Sequence, residues 1–195
     1  DRARRMFDSF YRNRPPWDLG RPRQQFVELV KRGVMAGPVL DIGCGTGEHA
    51  LFFAEQGLEV WGIDFAPRAI RTAQEKAAER GLRVQFRVQN ALTLEDLNRK
   101  FVTATDAGFF HTLSDRDRMV FARSLATVLP SGGSYFMLCF SNREAPGYGP
   151  RRVSEREIRE CFRDGWTIDS IEQTVIENRS RAVGPLGWFS SLSKK

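Results

Sequence analysis

The stretch that decides the fold reads Val39-Leu40-Asp41-Ile42-Gly43-Cys44-Gly45-Thr46-Gly47-Glu48. Its first half is a short apolar run of the kind that forms a buried strand. Its second half has glycine at every other position, and glycine lets a ligand touch the backbone because it has no side chain. A helical pattern follows from Glu48 to Gln56. The stretch therefore predicts a strand, a tight turn and a helix whose first N–H groups point at a bound nucleotide.

The spacing of these glycines argues against a dinucleotide ligand. A dinucleotide-binding turn has glycine at its first, third and sixth positions, and the sixth position here is Glu48. Asp41 precedes the turn, where it would oppose a pyrophosphate but suit a ligand with a cationic amino group. The alternative is a plain tight turn without a ligand, which does not account for the acid beside the glycines.

The same ten residues closely resemble the signature of S-adenosylmethionine-dependent methyltransferases of the Rossmann-like class, whose cofactor carries an ammonium and a sulfonium group. The resemblance covers nearly the whole chain, because the predicted strands and helices follow the methyltransferase order. It implies an α/β fold, a Rossmann-like three-layer sandwich with a mostly parallel seven-stranded sheet whose last strand is antiparallel.

Asp64 is the second acid of the predicted cofactor site. It lies 21 residues after Gly43, at the end of the second predicted strand, where Rossmann-type sites use an acid to bind ribose hydroxyls. The alternative is a surface acid that caps the next helix. Asn90 stands where the family usually has an acid beside the adenine, and it can still pair with an adenine edge. The cofactor-binding residues that the resemblance implies are Trp17, Asp41, Gly43, Cys44, Gly45, Gly47, Asp64, Phe65, Asn90, Ala91 and Phe109.

The first 25 residues form a segment of their own before the methyltransferase domain of residues 26–195. Pro15-Pro16 predicts that this segment has no regular secondary structure. Residues 15–22 resemble the N-terminal segment of the branch of small-molecule methyltransferases that includes thiol, halide and heterocyclic-toxin methyltransferases. In that branch the segment closes over the cofactor, so we expect a lid. The alternative is that Trp17 only fixes the leader to the core. The aromatic residues of the segment are Phe7, Phe10, Tyr11 and Trp17.

Two residues are candidates for handling a proton of the methyl acceptor. His111 follows the predicted fourth strand, residues 101–110, at the edge where open α/β sheets bind their ligands. Tyr148 lies in the glycine- and proline-rich loop 141–153, which follows the fifth strand and should face the substrate. His111 could equally be structural, and the loop could be a solvent loop. A thiolate or halide acceptor would need no base.

The composition narrows the possible partners. The net charge is +6, but the arginines are spread along the chain and form no stripe that predicts nucleic-acid binding. No apolar run approaches the ~20 residues that span a bilayer, so no membrane contact is expected. The three cysteines have no metal-ligand spacing, which predicts free thiols, a cytoplasmic location and no metal; they are Cys44, Cys139 and Cys161.

We therefore expect methyl transfer from S-adenosylmethionine to a small molecule, with S-adenosylhomocysteine as product. The expected acceptor is an oxygen or nitrogen atom of an aromatic or heterocyclic compound, and a thiol or halide is the alternative. An RNA or protein methyltransferase and a cofactor-binding protein without activity are further alternatives. The sequence does not indicate the oligomeric state, and a first residue of Asp1 rather than Met leads us to expect residues before it.

Overall fold

The computed structural model describes residues 2–147 and 149–195. Seven strands form one sheet in the order β3-β2-β1-β4-β5-β7-β6. All of them run parallel except β7, which is antiparallel to both of its neighbours. The predicted α/β fold with an antiparallel last strand is therefore confirmed. The strands are β1 (Val39–Ile42), β2 (Val60–Asp64), β3 (Gln85–Val88), β4 (Thr103–Ala107), β5 (Ser134–Phe140), β6 (Trp166–Val175) and β7 (Leu186–Lys194).

Six α-helices surround this sheet. They are α1 (Arg2–Phe10), α2 (Gln24–Lys31), α3 (Glu48–Glu55), α4 (Pro67–Glu79), α5 (Asp115–Val128) and α6 (Glu155–Cys161). Buried residues of α2, α3 and α4 form one apolar cluster, and those of α5 and α6 form another. Successive residues of β5 alternate between the clusters, since Tyr135 and Met137 join the second and Phe136 and Leu138 the first. Successive strand residues point to opposite faces, so helices cover both sides of the sheet.

Two local features that the sequence predicts are present in the structure. Ser154 followed three residues later by Glu157 is the sequence pattern of a capping box, and the two residues make a reciprocal capping box at the start of α6. The alternating apolar pattern of residues 166–176 slips near Ser170 and Ile171, which predicts a bulge, and the pairing of β6 with β7 shifts register between Ile168 and Ser170. These signals rest on contacts within a few residues of chain, which a sequence pattern captures directly.

The expectation that the leader has no regular secondary structure was wrong, because residues 2–10 form α1. Proline restricts only itself and the residue before it, so Pro15-Pro16 leaves the preceding residues free to be helical. Contact with α4 helps to hold this helix. The Asp8 carboxylate accepts hydrogen bonds from the backbone N–H and the Nε of Arg68, at 2.8 and 2.9 Å.

The fourth strand is also shorter than the predicted range of residues 101–110. It ends at Ala107, because the carboxylate of Asp106 accepts the N–H groups of Gly108, Phe109 and Phe110. These bonds bend the chain into a short 3₁₀ turn, Phe110–Thr112, rather than leaving it extended. The bend brings Phe109 and His111 to the carboxyl edge of the sheet.

The glycine turn should be intolerant of side chains for two separable reasons. Gly47 and Gly57 both have a positive φ, of 86° and 82°. A Cβ at Gly47 would lie 2.8 Å from Phe86 Cζ, whereas nothing lies within 4 Å of one at Gly57. We expect Gly57→Ala to lower the free energy of unfolding by about 1–2 kcal/mol through backbone strain. Gly47→Ala should lose about 1–3 kcal/mol more through crowding.

Urea denaturation of the two variants and the parent protein measures this difference. Because the backbone strain is matched, the excess loss in Gly47→Ala isolates the crowding. Equal losses would show that Phe86 moves aside and that packing does not restrict the turn.

Candidate active site

The glycine turn lies at the carboxyl ends of β1 and β2. The N–H of Cys44 donates to the carbonyl oxygen of Ile63 at 2.9 Å, which joins the turn to the end of β2. Phe109 packs on the first glycine, since a Cβ at Gly43 would lie 2.8 Å from the Cβ of Phe109. Cys44 itself is buried, and burial raises the pKa of its thiol, so it fills space here rather than acting as a nucleophile.

Asp64 ties the glycine turn to the start of α4. One carboxylate oxygen accepts from the N–H of Gly45 at 3.0 Å, and the other accepts from the N–H of Ala66 at 2.8 Å. Burial raises the pKa of Asp64 to about 6, against which these backbone hydrogen bonds work. Each carboxylate oxygen keeps a second lone pair, which a ribose hydroxyl can use.

Asp41 is a buried acid without a cationic partner. Its Oδ1 accepts from Thr105 Oγ1 at 2.9 Å, and its Oδ2 makes no well-formed hydrogen bond within the described residues. Burial, together with the nearby charges of Asp106 and Asp64, raises its pKa to about 7. No Lys or Arg of residues 2–147 and 149–195 forms an ion pair with any of these three acids. Buried carboxylates that lack a cationic partner in the protein favour a ligand that carries positive charge.

Asp106, by contrast, has its hydrogen-bonding capacity filled by the protein. Besides the three N–H groups that end β4, it accepts from Tyr135 Oη at 3.0 Å. This arrangement gives Asp106 a structural role, because its bonds fix the backbone that carries Phe109 and His111.

One ring nitrogen of His111 forms a hydrogen bond within the protein. Its Nδ1 accepts a hydrogen bond from the N–H of Phe140 at 3.0 Å, so the proton of the neutral ring resides on Nε2. Burial, and then the charges of Arg118, Arg23 and Arg152, lower the pKa of His111 to about 3. The histidine therefore presents an N–H donor at the edge of the sheet. Tyr148, the other candidate for proton handling, lies outside the described residues.

The leader crosses the carboxyl edge of the sheet and contacts the glycine turn. A Cβ at Gly45 would lie 3.0 Å from the hydroxyl of Tyr11, and Thr46 Oγ1 donates to Asp18 at 2.9 Å. Trp17 lies behind Tyr11, because its Nε1 donates to Tyr11 Oη at 3.4 Å and the side chain remains 39% exposed. Of these two leader aromatics, Tyr11 rather than Trp17 touches the turn.

The far end of the leader is fixed to the loop between β6 and β7. The buried Arg23 donates to the carbonyl oxygens of Trp17 and Glu177, and the N–H of Arg179 donates to the carbonyl oxygen of Pro16 at 3.0 Å. Arg21 pairs with Glu177 at 2.6 Å. A cavity of about 460 Å³ lies between leader and loop, and its lining includes Leu19, Arg21, Val175, Arg179, Arg181 and Val183. Its lining combines apolar and charged side chains, and it includes Glu177, the ion-pair partner of Arg21.

The remaining predicted residues take different positions. Ala91 is buried, while Asn90 is exposed and its Oδ1 accepts from the N–H of Leu92 at 3.0 Å. Phe65 packs against Phe7 of α1, with ring centroids 5.5 Å apart. The adenine contacts expected of Phe65 and Asn90 stay predictions.

Sequence reasoning did not include Tyr11, Asp18, Thr46 and Thr105 among the site residues. Tyr11 and Asp18 belong to the aromatic, proline-containing leader, and Thr46 is part of the glycine stretch, so a signal existed for these three. Thr105 carried none, because its role depends on the pairing of β4 with β1.

Two structural absences hold for the described part of the chain. None of its helices is long and apolar enough to cross a bilayer. It also holds no group of three or more His, Cys, Asp or Glu side chains placed to bind a metal ion.

Known proteins resemble this chain in sequence and in structure. A family model described as "Methyltransferase domain" matches residues 39–133. A 2-heptyl-1-hydroxyquinolin-4(1H)-one methyltransferase of Mycobacteroides abscessus is 37% identical, covering 85% of this chain and 78% of the relative. Probable thiol methyltransferase 2 of Arabidopsis thaliana is 30% identical, covering 92% of this chain and 78% of the relative. The solved structure "Conversion of a Disulfide Bond into a Thioacetal Group during Echinomycin Biosynthesis" is 32% identical with a TM-score of 0.91, covering 99% and 93% of the two chains.

The chain belongs to the S-adenosylmethionine-dependent methyltransferases of the Rossmann-like class. Its activity is the transfer of a methyl group from S-adenosylmethionine to a small molecule. The residues present fit that cofactor, because Asp41 and Asp64 are buried acids without cationic partners beside a turn that leaves the backbone open. When bound, the cofactor supplies a methyl group on a sulfonium, which is a good leaving group. The chain has to bind and orient the two reactants and exclude water.

Cofactor binding should weaken as the pH falls. The pKa values of about 7 for Asp41 and about 6 for Asp64 mean that both acids take up protons in the free protein between pH 8 and 5. A ligand with an ammonium group binds more tightly to the ionised carboxylates than to the protonated acids. Its binding at low pH therefore releases the protons that the free protein has taken up. The affinity for S-adenosylhomocysteine should therefore fall by up to about tenfold per pH unit for each proton displaced.

Isothermal titration calorimetry in buffers of different ionisation enthalpy counts the displaced protons directly. Asp41→Asn keeps the shape of the side chain, so this control variant should bind less tightly at pH 8 and lose the dependence above pH 6. A constant affinity from pH 8 to pH 5 would contradict the assignment of these acids to the cofactor site.

Proposed function

We propose that the acceptor is a hydroxylated aromatic heterocycle and that the methyl group is transferred to one of its oxygen or nitrogen atoms. The observation that carries this proposal is the 37% identity, over 85% of the chain, to a methyltransferase named for a hydroxyquinolinone.

We also propose that residues 1–25 act as a lid on the domain of residues 26–195. Support comes from two contacts of the leader, with the glycine turn through Asp18 and with the β6–β7 loop through Arg23. A segment held in this way would have to move for the cofactor to enter. Once closed, it would keep water from the reacting atoms.

A thiol acceptor is the second candidate. It is favoured by the 30% identity to a probable thiol methyltransferase and by the 32% identity to a structure whose description concerns the conversion of a disulfide. Both candidates use the same cofactor site and differ only in the acceptor pocket.

The remaining expectations belong to the same proposal. Transfer without a metal agrees with a cofactor that already carries an activated methyl group. A cytoplasmic location agrees with three cysteines that are all free. Small acceptors rather than nucleic acids agree with a basic surface whose arginines are engaged in many separate ion pairs.

An acceptor panel with isotopically labelled S-adenosylmethionine tests the acceptor class. The panel contains 2-heptyl-1-hydroxyquinolin-4(1H)-one, simple phenols, quinols, aryl thiols and iodide, and mass spectrometry detects the products. We expect the hydroxyquinolinone to give the highest kcat/KM, because the methyltransferase named for this compound is 37% identical to the chain. Turnover of thiols or iodide alone would refute the heterocycle proposal and leave the methyltransferase class intact.

Hydrogen exchange tests the lid. We expect the amides of residues 7–21 to exchange more slowly with S-adenosylhomocysteine bound, because the ligand would fill the space beneath Tyr11 and Asp18. Deletion of residues 1–21 should leave a folded domain with some cofactor affinity and little turnover, since closure matters more for the reaction than for binding. Equal exchange in both states, with full activity after deletion, would show that the leader has no such role.

A further inference from the structure

The two sides of the site carry opposite charge. On the side of β1 and β2, Asp41 and Asp64 are buried acids without cationic partners. On the side of β4 and β5, two guanidinium groups lie near His111. Arg118 of α5 donates to the carbonyl oxygen of Phe110 at 3.4 Å. Arg152 before α6 lies 5.4 Å from the ring centre of Phe140, which packs against His111 with ring centroids 5.0 Å apart. A site polarised in this way matches a cation on the first side and an anion on the second.

The acid nearest to His111 in the chain does not cancel this positive charge by pairing with the arginines. The Asp106 carboxylate accepts hydrogen bonds from three backbone N–H groups and from the hydroxyl of Tyr135. Arg118 does pair with Glu157 at 3.3 Å and with Asp115 at 3.8 Å, yet its Nη2 remains buried with no partner within the described residues. Among these residues, Arg152 donates to the neutral carbonyl oxygens of Pro150 and Ala145, and its Nε has no partner. Both guanidinium groups thus keep a hydrogen-bond donor that the described residues leave unused.

His111 faces this region as a donor. Because Nδ1 accepts the N–H of Phe140, the ring proton is on Nε2, and Nε2 forms no hydrogen bond within residues 2–147 and 149–195. The space beside it is kept open by Gly108, where a Cβ would lie 3.5 Å from Nε2. Gly108 directly follows the last residue of β4, at the carboxyl edge where sheets of this kind bind ligands.

We propose that the acceptor binds as an anion, with its negatively charged heteroatom held by the Nε2–H of His111. The inference rests on the proposed function and adds the chemical class of the acceptor. This class consists of molecules whose O–H, N–OH or S–H group ionises near neutral pH. In this arrangement His111 orients the acceptor and is not a general base.

The chemistry balances without a proton acceptor in the protein. The acceptor loses its proton to water before it binds. Its lone pair then forms the new bond to the methyl carbon while the carbon–sulfur bond breaks, and the electrons of that bond stay on sulfur. An anion and a sulfonium thus become two neutral groups, so a closed site of low polarity favours the reaction.

A spectroscopic titration tests the charge of the bound acceptor without any turnover. The protein is saturated with S-adenosylhomocysteine, and 2-heptyl-1-hydroxyquinolin-4(1H)-one or 4-nitrophenol is added as the probe, because the neutral and ionised forms absorb differently. The bound probe should ionise at a pH about one to two units lower than the free probe, the effect expected of a hydrogen bond to a charged group. An unchanged or raised ionisation pH, or failure of both probes to bind, would overturn the proposal.

Two variants of His111 separate its role as a donor from a role in folding. His111→Phe removes the donor and should abolish the shift in ionisation pH and lower kcat/KM by about 10- to 100-fold. His111→Gln retains an N–H donor and should restore part of both effects. An unchanged affinity for S-adenosylhomocysteine in each variant shows that the fold is intact. If the shift persists in folded His111→Phe, the assignment of Nε2 is wrong.

The pH dependence of turnover distinguishes a base in the protein from an ionised acceptor. For acceptors of graded acidity on one ring, the inflection in kcat/KM should move with the acidity of the acceptor. An inflection at one fixed pH for all of them, abolished in Tyr148→Phe, would assign proton removal to Tyr148 and overturn the inference. If the probe binds as an anion but is never methylated, the proposed function is refuted and the anion site is still supported.

Discussion

Burial of the Asp64 carboxylate against the glycine turn is the interaction on which the rest of the site depends. Its two oxygens hold Gly45 and Ala66 together, and so join the ends of β1 and β2. A buried acid is costly unless its hydrogen bonds are satisfied, and here the turn itself satisfies them. The glycine turn and the acid are therefore one unit, and neither would keep its geometry without the other.

How far the sequence predicts the structure depends on the range of the interactions. The glycine stretch, the offset of Asp64 and the capping box at Ser154 act over short or regular spacings, so they predicted the fold class, the position of Asp64 beside the glycine turn and the start of α6. The early end of β4 depends on Asp106 accepting nearby N–H groups in competition with sheet pairing, which an apolar pattern does not reveal.

The surroundings of His111 were harder to anticipate because they come from distant segments. Arg118 and Arg152 approach His111 only after the sheet has formed, and the tautomer of His111 is set by the backbone of Phe140 in another strand. Likewise α1 was missed because its support comes from Arg68 of α4, and not from its own few residues. A single sequence identifies the residue types but does not show which distant residues come into contact in the folded chain.

The insertion of β7 between β5 and β6 has a consequence for how such enzymes can diversify. It returns the chain to the ligand edge through the loop 176–185, which contacts the leader and forms no hydrogen bond with the glycine turn in the part of the chain that the structure describes. Length and composition of that loop can therefore drift while the nucleotide-binding half of the sheet stays intact. Selection can then exchange one acceptor for another as a nearly independent module, on a scaffold whose methyl donor never changes.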